Sequence, residues 1–530
     1  MRIPHLFFLG LTFLLAHQSG AHEGTQSLKY SEVKAHAPTP IPDRIVLTWE
    51  DDPATTQSVT WRTDESVTQA LGQVALANVN GRALSPINLP AATTRFQSDI
   101  NTALYHTVTF KGLQPETLYA YRVGDGINWS EYFHFKTASS ASKPFSFIYF
   151  GDAQNDVRMH WSRVFREAFR DAPRAAFTLH AGDLIDVHNS DAEWGDWHQG
   201  PDWVNGTIPV IATPGNHEYR RVNQGSPAER IWRDKDGQEL NILITASVAE
   251  STDKGTVRTV TAEVKGSASG TLQLDESGKI SRLDAGILEI TGFTEAELIG
   301  TRFYRAPLND RQRDRGDPAI SQHWQHQFAF PITDLPDAKL NESVYFIDYQ
   351  GTRFISLNSN EAIESQIKWF REVLQNNPNR WTVVTFHHPI FSPAFDRDNP
   401  ELRHLWKPIL DEFRVDLVLN GHDHTYARTG EVSLAPGTNV PSGYGQAYDS
   451  TIGTVYVVSV SGPKMYEITK GDFAKRLAEN TQLYQIIDVQ AETLRYRAFT
   501  ATGQLYDEFL LRKRDGRPNV LVEVFPGNPD

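Results

Sequence analysis

The sequence predicts an α/β domain that is preceded by an all-β sandwich and interrupted by an inserted α+β segment. Three observations carry that reading. Residues 41–137 hold short runs rich in β-branched and aromatic residues, broken by Asp, Gly and Pro. From residue 145 onward, near-continuous apolar runs end repeatedly on polar residues, the pattern of strands buried on both faces. The spacing of those strand ends then fails once. Asp152 to Asp183 is 31 positions, Asp183 to Asn216 is 33 and His387 to His422 is 35, whereas Asn216 to His387 is 171. The chain accordingly divides into a leader at 1–21, a sandwich at 38–138 and a larger domain at 143–515 that is interrupted by an insertion at 220–322.

Composition bounds the chemistry. At about 150 residues per domain, 530 residues make about three to four units. Hydrophobic residues are 39% and charged residues 22%, as in ordinary globular chains. A net charge of −14 argues against a broad nucleic-acid-binding surface. The absence of cysteine excludes thiolate nucleophiles, Cys-ligated zinc, iron–sulfur clusters and disulfides. Metal chemistry must then draw on carboxylates and the 18 histidines.

In chain order, Met1-Arg2 precedes an apolar run at 6–16 that ends near Ser19-Gly20-Ala21, a small-x-small pattern. The run is shorter than the about 20 apolar residues that span a bilayer, so a secretory signal is expected rather than an anchor. No later segment has 18 uninterrupted apolar residues, which predicts a protein without a membrane span, secreted or periplasmic. In the sandwich, strands are expected at 45–49, 58–62, 106–110 and 118–123. The pattern Leu113-x-Pro115-x-Thr117-x-Tyr119-x-Tyr121 resembles that of fibronectin type III domains. A plain structural role is its simplest reading.

After a small polar linker at 139–142, a strand at 145–150 leads to Gly151-Asp152, one at 175–180 to Gly182-Asp183, and one at 208–212 to Gly215-Asn216-His217. Beyond the insertion, 381–386 leads to His387-His388 and 415–419 to Gly421-His422-Asp423-His424. Helices are expected at 162–169 and 366–374, and closing strands at 454–460, 484–489, 494–499 and 505–511. Open α/β sheets place their ligands at such strand ends. Trp194 and Trp197 fall on an expected loop after Asp183, where they either line a cleft or pack. Within the insertion, strands are expected at 240–245 and 256–264. The segment from Ile290 to Gly300 is similar to the helix and turn of PAS sensor domains, and Lys235-Asp236-Gly237 to their later strands. The two occur in reversed order, which implies a permuted or degenerate PAS-like insertion; the alternative is a segment that only decorates the rim.

The strand ends supply Asp152, Asp183, Asn216, His387, His422 and His424. Carboxylate, amide and imidazole donors suit borderline or hard cations, and one carboxylate, best assigned to Asp183, bridges a pair of ions. Two ions make hydroxide available near neutral pH and clamp phosphate oxygens for in-line displacement. The succession Gly-Asp, Gly-Asp, Gly-Asn-His, His, Gly-His-x-His resembles the calcineurin-like metallophosphoesterase superfamily over about 145–220 and 325–512. With the sandwich and Tyr426-x-Arg428, it looks specifically like the purple acid phosphatases, which implies a four-layer αββα fold of two mixed sheets. The resemblance implies one ion on Asp152, Asp183 and His424, and a second on Asp183, Asn216, His387 and His422. His217 is then the contact to the phosphoryl group or its general acid.

Two departures alter the expected site. Where those phosphatases carry a tyrosinate ligand, this chain has Asp186, so the ferric charge-transfer colour is not expected. Where many relatives carry a histidine, it has Gln154. Either Gln154 or Asp186 completes the first ion's shell. His388, Arg397 and His404 are the candidates for further substrate contact. No phosphate-binding Gly-Lys-Ser/Thr loop, Gly-x-Ser-x-Gly elbow or dinucleotide fingerprint is present. The expected function is an exported enzyme with two metal ions (Fe, Zn or Mn) that hydrolyses small phosphomonoesters by attack of a hydroxide shared between them. The alternatives are a phosphodiesterase or nucleotide hydrolase on the same site, or a non-catalytic sensor or adhesion protein using the sandwich and insertion.

Overall fold

The computed structural model describes residues 31–219, 228–236, 238–246, 250–252, 255–264, 268–275, 279–301, 319–335, 337–394, 397–430, 454–468 and 473–524. The expected leader at 1–21 lies outside them. Period-2 burial in the first hundred described residues builds two four-stranded antiparallel sheets. One runs Asp43–Thr48, Gln57–Thr63, Thr102–Phe110, Ala92–Gln97 in spatial order; the other runs Ile87–Pro90, Leu71–Leu76, Leu118–Gly124, Phe133–Lys136. Leu47, Val59, Trp61, Phe110, Tyr121 and Phe135 fill the space between them. Trp49 points the other way, against Phe177 and Tyr349, so the sandwich shares a core with the larger domain.

The larger domain stacks two seven-stranded mixed sheets. In the first, Val210–Ala212, Thr178–His180 and Phe145–Phe150 are parallel neighbours; antiparallel Leu483–Val489, Thr493–Thr500, Leu505–Arg512 and Val520–Glu523 extend it. The second runs Tyr345–Tyr349, Thr352–Ser356, Trp381–Thr385, Leu417–Asn420, Val455–Val458, Tyr426–Thr429, Ala474–Ala478. Its four central strands, 352–356 to 455–458, are parallel.

Alternation decides the layers. Phe147 and Phe177 face Phe354 of the opposite sheet, with ring centroids 5.2 and 4.9 Å away. Phe150 faces outward onto Phe165 of the helix Ser162–Asp171. The outer face of the second sheet, Val384 and Val418, is covered by Phe370 and Leu374 of Ile367–Gln375 and by Trp406 and Ile409. The result is a helix–sheet–sheet–helix stack. The expected helices and closing strands all form, within one or two residues of the ranges read from the sequence.

Trp194 and Trp197 correct the sequence reading. They lie on the helix Asp191–Gln199, not a loop, and are fully buried. They pack on Phe328, so neither lines a cleft. Ser190 caps this helix by accepting from Glu193 N.

The insertion has its own antiparallel sheet, with Ala228–Arg233, Glu239–Ala246, Gly255–Val264, Ala268–Leu274 and Ile280–Leu283 adjacent in chain order. The helices Ala285–Thr291 and Glu295–Leu298 follow. Asp284 caps the first and a Thr294–Glu297 capping box the second. Trp232, Ile242, Val260, Leu272, Ile287 and Leu298 form its core. Tyr219, just before the insertion, forms an antiparallel bridge with Ile320 near its end.

Candidate metal centre

Parallel strands end at one edge, and here both sheets present their ends to the same place. Asp152 forms a parallel bridge with Val460, which stitches the two edges together. That approach leaves no room for a side chain at Gly421, where a Cβ would strike the Asp152 carboxylate. Gly182 is equally constrained. It has φ +88°, and a Cβ would fall 2.6 Å from Gly215 N and 2.7 Å from His387 Nδ1. Asp183, His422 and His424 themselves hold left-handed φ of 52°, 76° and 48°. Non-glycine residues adopt that region at a cost and cluster where geometry serves function.

The six strand-end side chains converge. His387 Nε2 lies 3.1 Å from Asp183 Oδ2, 3.2 Å from Asn216 Oδ1 and 3.1 Å from His422 Nδ1. On the other side of Asp183, His424 Nε2 lies 3.1 Å from Asp152 Oδ2. Two sets of donors result, Asp183–His387–His422 and Asp152–Asp183–His424, each with its ligand atoms within 4.8 Å of one another and both containing Asp183. The imidazoles are oriented from behind: His387 Nδ1 meets Ala181 O at 2.9 Å and His424 Nδ1 meets Lys464 O at 2.8 Å.

The electrostatics suit cations. Burial pushes Asp183 up, but the His387 and His217 imidazoles outweigh it and hold its carboxyl well below the usual range. Burial lowers His387, yet the Asp183 charge raises it to about 9. Burial together with His388 and Arg397 keeps His422 far below its ordinary value, hence neutral. Two buried oxygens, Asp152 Oδ2 and Gln154 Oε1, accept no hydrogen bond from the described residues. Buried acceptors without donors are costly, and a cation between them satisfies both. The donor set therefore fits a pair of metal ions.

The residues left open by the sequence fall as follows. Gln154 is buried beside the first set, with Nε2 2.9 Å from Asp183 Oδ2 and 3.2 Å from His424 Nε2. Asp186 is in neither set; it turns to His217, whose Nδ1 lies 3.1 Å from Asp186 Oδ1 and 2.6 Å from Asp186 O. The His217 amide donates to Asp183 Oδ1 at 2.8 Å, and its Nε2 lies 3.9 Å from Asp183 Oδ2. The His388 ring packs against that of His422, tilted by 49° with centroids 4.1 Å apart, and is held by Ser359 Oγ at 2.8 Å. Arg397 donates to His422 Nε2, and to Tyr466 Oη at 3.2 Å. His404 is exposed on the helix Pro400–Leu405, outside both sets.

Sequence reasoning missed Tyr466, Ser359 and Glu218. Tyr466 and Ser359 lie in irregular segments with no motif. Glu218, directly after Gly-Asn-His, carried a positional signal that went unread.

Comparisons with known proteins place the chain by family and by fold. Residues 42–137 match the family model of the purple acid phosphatase N-terminal domain, and 146–286 with 303–426 match that of calcineurin-like phosphoesterase. An uncharacterized protein of Mycobacterium tuberculosis is 33% identical over 108 residues, 18% of this chain and 20% of that protein. Purple acid phosphatase 4 of Arabidopsis thaliana is 41% identical over 51 residues, 10% of this chain and 15% of its own. Probable inactive purple acid phosphatase 1 of the same plant is 25% identical over 138 residues, 23% of this chain and 22% of its own. The chain thus aligns with about a fifth of the length of these relatives. The structure of purple acid phosphatase PPD1 from yellow lupin superposes with a TM-score of 0.59 at 16% identity, covering 90% of this chain and 75% of that one. The structure of PhoD superposes with a TM-score of 0.53 at 12% identity, covering 93% of each.

Proposed function

Because the chain belongs to the calcineurin-like phosphoesterase family, we propose that it is a dinuclear metal-dependent phosphomonoesterase of the purple acid phosphatase type. The observation that carries this is the pair of three-ligand sets meeting at Asp183. Asp152, Asp183 and His424 would hold one ion, completed by the Gln154 amide, which presents Oε1 instead of Nε2 after a half-turn about its terminal bond. Asp183, Asn216, His387 and His422 would hold the other. When bound, such a pair supplies Lewis-acid stabilisation of phosphoryl charge and a water-derived nucleophile near neutral pH.

The chain's own residues do the rest. Asp186 fixes His217 through Nδ1, which leaves Nε2 to carry a proton to the leaving oxygen. Arg397 and His388, both against His422, supply positive charge and a hydrogen-bond donor to the oxygens of a terminal phosphate. The substrate is a small phosphate ester. Among the described residues no helix is long and apolar enough to cross a membrane. We read the apolar run at 6–16 as an export signal.

The test is hydrolysis after metal stripping and reconstitution. With Mn²⁺, Zn²⁺ or Fe, the protein should cleave an aryl monophosphate faster than a bis-aryl phosphate, and EDTA should stop it. Asp183→Asn should remove turnover while the circular dichroism spectrum persists. Preferential diester cleavage would move the reading to a phosphodiesterase, and no hydrolysis of either ester would move it to a binding protein.

A further inference from the structure

We infer that Glu218 is a positioning residue that latches together the two loops presenting Asp183 and Asn216, an inference that rests on the metal-site reading above. Its side chain is fully buried, and three backbone amides donate to its carboxylate. One oxygen accepts from Asp183 N at 2.9 Å and Gly215 N at 2.6 Å; the other accepts from Leu184 N at 2.7 Å. Asp183 and Leu184 belong to one strand-end loop and Gly215 to the next. A single carboxylate thus ties the loop of the shared ligand to the loop of Asn216.

The tie acts on a backbone that does not rest there unaided. Asp183 has φ +52°, a conformation an L-residue holds only when its surroundings impose it. Glu218 holds the amide of that residue, while Asp183 Oδ1 accepts from His217 N at 2.8 Å, closing a ring between the two loops. Glu218 is in turn anchored from outside. Its carbonyl accepts from Ser321 N at 2.8 Å, next to the Tyr219–Ile320 bridge that closes the base of the insertion. Glutamine at 218 keeps the length but offers one acceptor and places an NH₂ against backbone donors, so at least one of the three bonds is lost. Aspartate keeps both acceptors on a stem too short for all three.

The experiment uses the full chain stripped of metal, as wild type, Glu218→Gln and Glu218→Asp. Two quantities are read: Mn²⁺ binding by equilibrium dialysis, and amide hydrogen exchange of peptides covering 182–184 and 215 in the metal-free protein. Glu218→Gln should keep the wild-type circular dichroism spectrum, bind Mn²⁺ about 10–100-fold more weakly and exchange those amides at least about tenfold faster, as expected for groups that orient ligands. Glu218→Asp should fall between. A folded Glu218→Gln with wild-type exchange and Mn²⁺ affinity would overturn the proposal. Should Glu218→Gln not fold, Glu218→Asp carries the same two readouts. If the wild type takes up no Mn²⁺, the metal-site reading fails by itself, and the exchange rates of the metal-free protein still decide the role of Glu218.

Discussion

His217 is where binding and proton transfer separate. Its Nδ1 is committed to Asp186, so loss of the ring removes a proton donor without removing a metal ligand. His217→Gln should lower kcat by about 10²–10⁴-fold, the range of general acid catalysis, with metal content unchanged by elemental analysis. The loss should be greater for alkyl phosphates, whose leaving alkoxide needs the proton, than for aryl phosphates. Asp186→Asn should move kcat the same way by a smaller factor. A dependence on leaving-group pKa identical to wild type would reduce His217 to a binding group. Because Asp186 stands where a tyrosinate would, the iron-loaded protein should also lack a visible charge-transfer band. At this scale the convergence of the six strand-end side chains was legible, because each follows a buried strand and strand ends fix direction. Which of Gln154 and Asp186 turns toward the site was not, since they lie four and six residues beyond the strands Phe145–Phe150 and Thr178–His180, where the loop path aims the side chain. His404 misled because a helix carries it to the surface.

At the scale of elements, Glu342 shows how a turn sets the pH dependence of the fold. It lies between the short helix Ala338–Leu340 and the strand Tyr345–Tyr349, with φ +59°. Burial, with the charge of Glu50 behind it, pushes its carboxyl up to about 8, against the pull of the Phe330 amide. A carboxyl raised in the folded state favours folding when protonated. Its contribution is therefore full below its ordinary range and is lost as pH rises toward 8. Glu342→Gln should raise the thermal midpoint by several degrees at pH 8.5 and hardly change it at pH 4.5, as measured by scanning calorimetry. Equal shifts at both pH values would assign the effect to packing. The helix Asp191–Gln199 marks where element reading failed. Gly195 and the scattered polar residues leave it no apolar stripe at helical period, although Ser190 and Glu193 stood in capping positions.

Across the whole molecule, the sandwich and the catalytic layers are pinned at Asp191. This carboxylate receives Arg44 Nη1 at 2.7 Å and Arg62 Nη1 at 3.3 Å from the sandwich, and lies 3.4 Å from His323 Nε2. Burial pushes its pKa up, but His323 and the two arginines hold it well below the carboxylate range. The pin is therefore intact at neutral pH; its contribution to stability begins to fall only as the pH drops below the ordinary carboxylate range, and it is lost when the pH passes through the much lower value of the folded state. All three charged side chains are at most 4% exposed, so Asp191→Ala leaves the Arg44 guanidinium buried without its carboxylate and Arg62 with Asp43 alone, at a cost of about 3–5 kcal/mol. The two domains also share the Trp49 contacts, which predicts one cooperative unfolding transition for the wild type in urea, followed by tryptophan fluorescence. Asp191→Ala should lower the midpoint and split the transition in two. The consequence reaches the metal centre, because Asp191 opens the helix whose Glu193 accepts from Asp186 N at 2.7 Å and Val187 N at 2.9 Å. Asp186 in turn holds His217. Under conditions where Asp191→Ala remains folded, its kcat should fall with little change in metal content, the signature of a displaced His217. A variant that loses stability yet keeps wild-type kcat would show that the path from the sandwich to His217 is broken by slack in the helix, and would confine the N-terminal sandwich to support.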